Sequence, residues 1–596
     1  MVEIKQREAM DPAYQWDLSS VFESDETFEL SLESLKEQLP EVTAFKGRLS
    51  ESPEVLADAI DTLENYSRQL HTLYVYTSLK RDQDQGNDTY QRYEAQASQL
   101  LSEYAAATSF FQPELLAIDP EELEDFIRRS ERLQFYRHYL EDATRQRKHV
   151  LSPAQEKLLA QAREVLSAHS DTFSLLNNAD LSFGTIKDEA GQEVPLTHGS
   201  YSKYMESTDR RVRRDAFEGL YAQYEQFKNT FASLVSTQMK SGNFRAKARH
   251  YDSARQAALD SHNISEDVYD TLVDTVNEAL PLLHEYVALR KDMLGLDTLE
   301  MYDMYTPLLG DPPISFTYDE AKDVVLKALA PLGSDYTAIL TRAFDEKWID
   351  VYENKGKRSG AYSSGSYDTK PYILMNWQDG LNSLYTLVHE LGHSVHSELS
   401  NTHQAYVYSN YPIFLAEIAS TTNENLLTQY LLDTYQDKET QAYVLNHFLD
   451  GVKGTVFRQT QFAEFEHFMY TQEAAGEPLT AQFLSKHYQE LNAKYYGSSV
   501  NSDSQIALEW ARIPHFYYNY YVYQYATGFS AATYFAQGIL KGEAGMLESY
   551  VNFLKSGSKD YPIAIMQEAG LDMTQTDYIQ ATLNAFNERL QAFKAL

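Results

Sequence analysis

The 596-residue chain contains no cysteine. That excludes a disulfide scaffold, thiol catalysis and any cysteine-ligated metal. Long apolar runs are missing too. The closest approach, Tyr520 to Leu540, is interrupted by Gln524, Thr527, Ser530 and Gln537, so no segment of about 18 apolar residues is present to span a membrane. The opening MVEIKQREAMDPAYQWDL lacks a basic stretch followed by an apolar core, so no secretory signal is expected. Positive charge is in deficit: 51 Lys and Arg stand against 87 Asp and Glu, a formal charge of −36. Such a chain repels phosphate backbones and anionic lipid, which argues against nucleic-acid and membrane partners. What remains is ordinary globular composition, 43% hydrophobic and 23% charged. A soluble cytoplasmic protein is the expectation.

Helical periodicity dominates. Residues 25–180 have few breakers and carry apolar residues at helical spacing, as in Phe28, Leu32 and Leu35, in Leu63, Tyr66, Leu70 and Leu73, and in Leu158, Leu159, Ala162 and Val165. Leu181–Thr197 reads instead as a hairpin around Asp188–Gly191 and marks a boundary, giving regions 1–190 and 191–596. Asp311-Pro312-Pro313 is a loop, after which Thr317 can cap a helix. A second non-helical island runs from Trp348 to Trp377, with strands expected at Ile349–Tyr352 and Pro371–Trp377 and a mobile Gly360–Gly365 loop between them. The expected class is mostly α with small β patches.

Directly after that island comes His389-Glu390-Leu391-Gly392-His393, an H-E-x-x-H pattern. On a helix the i and i+4 imidazoles lie about 40° apart and can share one zinc ion, with the glutamate as general base. Leu381, Leu384, Val388, Leu391, Val395 and Leu399 supply the apolar stripe, and Asp379 stands at the expected N-cap. Catalytic zinc needs a third protein ligand. His396 lies seven residues from His389, about 10 Å along the axis, too far for one tetrahedron with both others. Glu417, on a following helix patterned by Phe414, Leu415, Ile418 and Leu426, is the better candidate, and Glu424 on the same face could support a ligand from behind.

The run Arg512-Ile513-Pro514-His515-Phe516-Tyr517-Tyr518-Asn519-Tyr520-Tyr521-Val522-Tyr523-Gln524-Tyr525 is a third cluster. On a helix beginning near Pro514, His515, Tyr518 and Tyr525 fall within about 80° of one another. Their N–H and O–H groups are donors of the type that stabilises an oxyanion. The bland alternative is an aromatic helix packed in a core.

HELGHSVHS at 389–397, FLAEIAS at 414–420, KRSGAYS at 357–363 and RIPHFYYNYYVYQYATG at 512–528 resemble the oligoendopeptidase F group of the M3, or thimet-like, zinc metallopeptidases. The resemblance implies two helical lobes around a deep substrate channel, with residues 191–596 as the catalytic region. It implies cleavage of internal bonds in short oligopeptides with one zinc ion per chain, held by His389, His393 and Glu417, and Glu390 as base. The family's downstream histidine matches His515. Its tyrosines align with this run in more than one way, and helix geometry selects Tyr518 and Tyr525. An extended substrate could pair with the Tyr372–Trp377 strand if that strand is an exposed edge. Two rival readings stand beside this one. A zinc carboxypeptidase or dipeptidyl carboxypeptidase needs a cation for the substrate C-terminus, for which Arg512 and Lys370 are available. A non-catalytic helical peptide-binding scaffold keeps the fold and loses the metal. The oligomeric state is not legible in the sequence.

Overall fold

A computed structural model describes residues 4–310 and 312–596. Of the expected loop at 311–313, Asp311 lies outside the described residues. Helix accounts for 71% of the chain and strand for 3%, so the fold is mostly α. The chain forms two compact units from interleaved segments. The first comprises residues 1–148, 314–430 and 535–570, and the second 149–313, 431–534 and 571–596.

The first unit begins with three helices, Asp25–Thr43, Pro53–Gln83 and Asp88–Thr108. Each starts on a side chain that accepts orphan backbone N–H groups: Ser24, Ser52 and Asn87. Their apolar faces meet as the spacing predicts. Phe28, Leu32, Leu35, Leu70 and Leu73 are buried, with Phe28 stacked 5.4 Å from the Tyr76 ring. A three-stranded sheet follows, Ile349–Asp350, Tyr362–Ser364 and Tyr372–Leu374. Tyr372–Leu374 is its central strand, parallel to the first and antiparallel to the second, and is buried on both faces. The expectation that this segment offers a free edge is therefore wrong. The edges belong to Ile349–Asp350 and to Tyr362–Ser364, a segment expected to be loop.

In the second unit the expected hairpin forms between Thr185–Lys187 and Glu193–Pro195, with Gly191 at φ 74° in its turn. A 39-residue helix, Arg210–Ala248, crosses the unit. Helix Pro153–Leu175 departs from expectation: Leu158 and Val165 are 65% and 78% exposed rather than buried. Thr317 caps its helix as expected, in a reciprocal box with Glu320.

Candidate metal centre

In the first unit the HELGH helix spans Leu381–His403 and is anchored by Leu381, Leu384, Val388, Leu391 and Val395, all at most 1% exposed. Asp379 does not cap it. Its carboxylate accepts from Trp377 Nε1 at 3.0 Å, and Gly380 occupies the cap position without a side-chain bond. A second helix, Ile413–Thr434, crosses the first at Gly392. A Cβ on Gly392 would lie 2.6 Å from Ser420 Cα and 2.8 Å from Ala419 O, so the two backbones touch there. Asn423 ties the pair further, donating to Val388 O at 2.9 Å while accepting from Tyr336 OH at 2.8 Å.

This close crossing brings Glu417 to the two histidines. His389 Nε2 and His393 Nε2 are 3.2 Å apart, and Glu417 Oε2 lies 3.5 Å from the first and 3.7 Å from the second. Tetrahedral zinc with bonds of about 2.0–2.1 Å has donor separations of about 3.3 Å, so the triangle has the size and donor chemistry for that ion. Glu424 Oε1 is 2.5 Å from His389 Nδ1, which leaves Nε2 as the lone-pair atom facing the other donors. Burial disfavours the charged His389 ring, but the Glu424 hydrogen bond and the charges of Glu424, Glu417 and Glu390 together outweigh it and raise the group to about 9. Burial, then His389, lowers His393 to about 4. His396 points elsewhere. It stacks 3.6 Å from the Tyr411 ring, neither ring nitrogen has a partner among the described residues, and burial lowers it to about 3.

Glu390 is 7% exposed, and burial pushes its carboxyl up to about 7. It accepts a backbone hydrogen bond from Ser363 on the edge strand, and Ser363 Oγ meets Ser394 Oγ at 2.8 Å. The edge strand thus lies along the HELGH helix beside the donor triangle.

The second unit holds His515, Tyr518 and Tyr525, but not on one helix. Pro514–Tyr517 is a single 3-10 turn, Asn519 and Tyr520 are left-handed at φ 48° and 56°, and the α-helix starts only at Tyr523. The expected continuous helix is broken because long-range bonds hold this turn. Asn519 Oδ1 accepts from Gln238 Nε2 and Tyr470 OH, both at 2.6 Å, and the Tyr520 N–H donates to Glu466 Oε1 at 2.7 Å. The three residues cluster all the same. Tyr525 OH is 3.3 Å from His515 Nε2, and the Tyr518 ring sits edge-on to His515 at 5.8 Å. Tyr521, which helix geometry missed, joins them with its ring stacked 6.1 Å from His515. Tyr517 turns away onto Phe173, 4.3 Å off. The two cations open to a carboxypeptidase reading are engaged. Arg512 pairs with Glu509 at 3.9 Å and covers the Tyr201 ring, and Lys370 pairs with Glu346 at 3.5 Å.

The sequence model of peptidase family M3 matches residues 203–585, and that of oligopeptidase F matches 114–183. The chain belongs to peptidase family M3. It is a metalloendopeptidase of that family. Among its M3 relatives, oligopeptidase PepF of Bacillus subtilis is 49% identical over 581 residues, 98% of this chain and 87% of the relative. Group B oligopeptidase PepB of Streptococcus agalactiae is also 49% identical, over 98% of this chain and 97% of its own. The solved oligoendopeptidase F of Enterococcus faecium shares 48% identity with a TM-score of 0.75, covering 96% of this chain and 99% of that one. A crystal structure from Chlamydophila abortus described as a putative peptidase superposes with a TM-score of 0.94 at 36% identity, with full coverage of both chains. Within this M3 chain, Gly392 and Ser363 are the site residues that motif reading passed over. A glycine inside an otherwise strong helix pattern was the available signal for the first.

Proposed function

We propose that His389, His393 and Glu417 hold one zinc ion and that the enzyme hydrolyses internal bonds of short oligopeptides with Glu390 as general base. The observation that carries this reading is the donor triangle of 3.2, 3.5 and 3.7 Å, its first histidine oriented by Glu424. Zinc bound there supplies Lewis-acid polarisation of the scissile carbonyl and acidifies water at neutral pH. Glu390 takes the proton of the attacking water on its carboxylate and returns it to the leaving amine. A carboxyl poised near 7 suits both transfers. The edge strand Tyr362–Ser364 aligns the peptide by adding it as a further strand, with main-chain hydrogen bonds independent of the peptide's sequence. His515, Tyr518 and Tyr525 supply donors to the developing oxyanion, a role that rests on the family resemblance and on their clustering in the second unit.

The oligopeptidase names of the relatives support the substrate class. We place residues 1–190 as an amino-terminal helical region and 191–596 as the catalytic region. A cytoplasmic site of action is supported by the cysteine-free sequence. The test is mass spectrometry of a peptide library incubated with the zinc-loaded enzyme, with and without chelator, alongside Glu390→Gln. The expected result is chelator-sensitive cleavage at internal bonds, and a fall of roughly 10² or more in Glu390→Gln with its zinc retained. Near-normal turnover by that variant would remove the base assignment.

A further inference from the structure

A cavity of about 370 Å³ opens in the first unit, within the range of small-ligand sites. One wall is the HELGH helix beyond His393, through Ser397 and Asn401. Another is Gly365 and Ser366, which continue the edge strand. The helix Pro53–Gln83 closes it with Glu64 and His71.

Most polar groups around this cavity have partners among the described residues. Tyr406 OH meets Ser67 Oγ at 3.0 Å and His71 Nδ1 at 3.3 Å. Tyr411 OH meets Ser397 Oγ at 2.9 Å, and Asn401 donates to Ser366 O at 3.3 Å. Arg68, the nearby cation, is committed to Asp368 and lies over the Tyr367 ring. Glu64 is half-buried and has neither a hydrogen bond nor an ion pair among the described residues. Burial, and then Asp61, push its carboxyl up to about 7, while burial lowers His71 and keeps it neutral. The cavity therefore holds one uncompensated acid among neutral groups. An ionised carboxylate has only acceptor capacity, so a cation is what it lacks.

The position relative to the donor triangle follows from the backbone. Ser363 bonds Glu390, and three residues later Ser366 O accepts from Asn401, so strand and helix advance together away from His393. The three residues from Ser363 to Ser366 span about 10 Å at most, and the eleven helical residues from Glu390 to Asn401 about 16 Å. A peptide extended along this edge would reach the cavity a few residues from the bond being cut.

We propose that this cavity is a specificity subsite for a lysine or arginine side chain of the bound peptide, with the Glu64 carboxylate receiving its cationic end. The inference rests on the peptidase reading above. It is tested with zinc-loaded enzyme and matched quenched fluorescent peptides carrying lysine, glutamine or glutamate at one position, scanned from the second to the fourth residue on each side of the scissile bond. At one position lysine should exceed glutamine in kcat/KM by roughly tenfold, carried mainly by KM. Glu64→Gln should abolish that preference, and Glu64→Lys should invert it towards glutamate, with melting temperatures confirming that both variants fold. A wild-type enzyme that cuts these peptides without charge preference, or a lysine preference that survives in Glu64→Gln, overturns the subsite and leaves the peptidase reading standing. A wild-type enzyme that cuts none of them overturns both.

Discussion

Replacing Gly392 with alanine should disable the metal centre without touching a metal-binding side chain. The added Cβ meets Ser420 Cα at 2.6 Å and Ala419 O and Ser420 N at 2.8 Å, all backbone atoms that no rotamer change can move. Restoring ordinary contact requires the helices to separate by about 1 Å. Overpacking of this kind costs about 1–3 kcal/mol, against which alanine returns about 1 kcal/mol of helix propensity. Net destabilisation should therefore be modest, about 2 kcal/mol at most. The larger effect falls on Glu417, one turn before Ser420. Its Oε2, now 3.5 Å from His389 Nε2, is carried outward by a similar amount, whereas metal–ligand distances tolerate only about 0.2 Å. Zinc affinity should fall by roughly 10- to 100-fold. The assay is zinc titration against a competing chromophoric chelator, with thermal unfolding of the metal-free protein in parallel. Gly451→Ala is the control, since nothing lies within 4 Å of its Cβ position in helix Lys438–Val452. It should raise stability by about 0.5–1 kcal/mol and leave zinc binding alone. Unchanged zinc affinity in Gly392→Ala would refute the claim that backbone contact at this crossing sets the donor triangle.

Other expectations follow from the same geometry. Glu417→Ala should lose zinc in the same titration, whereas His396→Ala should keep it, because the His396 ring faces Tyr411 rather than the donors; the reverse outcome exchanges their roles. Tyr525→Phe should lower kcat by roughly 10² with KM little changed, since it removes only the hydroxyl beside His515 Nε2, while Tyr517→Phe, packed on Phe173, should turn over normally in steady-state kinetics. Buried Glu466 provides a pH signature: burial raises its carboxyl to about 8, and its Oε2 has no partner among the described residues. The folded chain thus holds a proton that the unfolded chain releases near its ordinary value of 4.5, so stability declines as pH rises across that interval, by about 5 kcal/mol at most. Glu466→Gln should flatten this decline in urea titrations between pH 5 and 8, and an unaltered slope rules the group out as its source.

The donor triangle was largely legible in the sequence because its elements are local. A 3.6-residue period places His389 and His393 on one face, and the apolar pattern around Phe414, Leu415 and Ile418 places Glu417 on the helix that follows. The hairpin near residue 190 and the cap at Thr317 were legible for the same reason, since turns and caps are written in adjacent residues. Tertiary structure decided the rest. Which strand has a free edge depends on pairing order, which ladder partners far apart in the chain determine, and so Tyr362–Ser364 rather than Tyr372–Leu374 is the edge strand beside the HELGH helix. Asp379 had the chemistry of a cap and was taken by Trp377 instead. The aromatic run scans as one helix because its side chains are all helix-compatible. It breaks at Asn519 and Tyr520 because Gln238, Glu466 and Tyr470, between 49 and 281 residues away, supply the hydrogen bonds that hold two left-handed residues. Local propensity cannot anticipate such bonds, since the groups that make them meet only when the chain has folded.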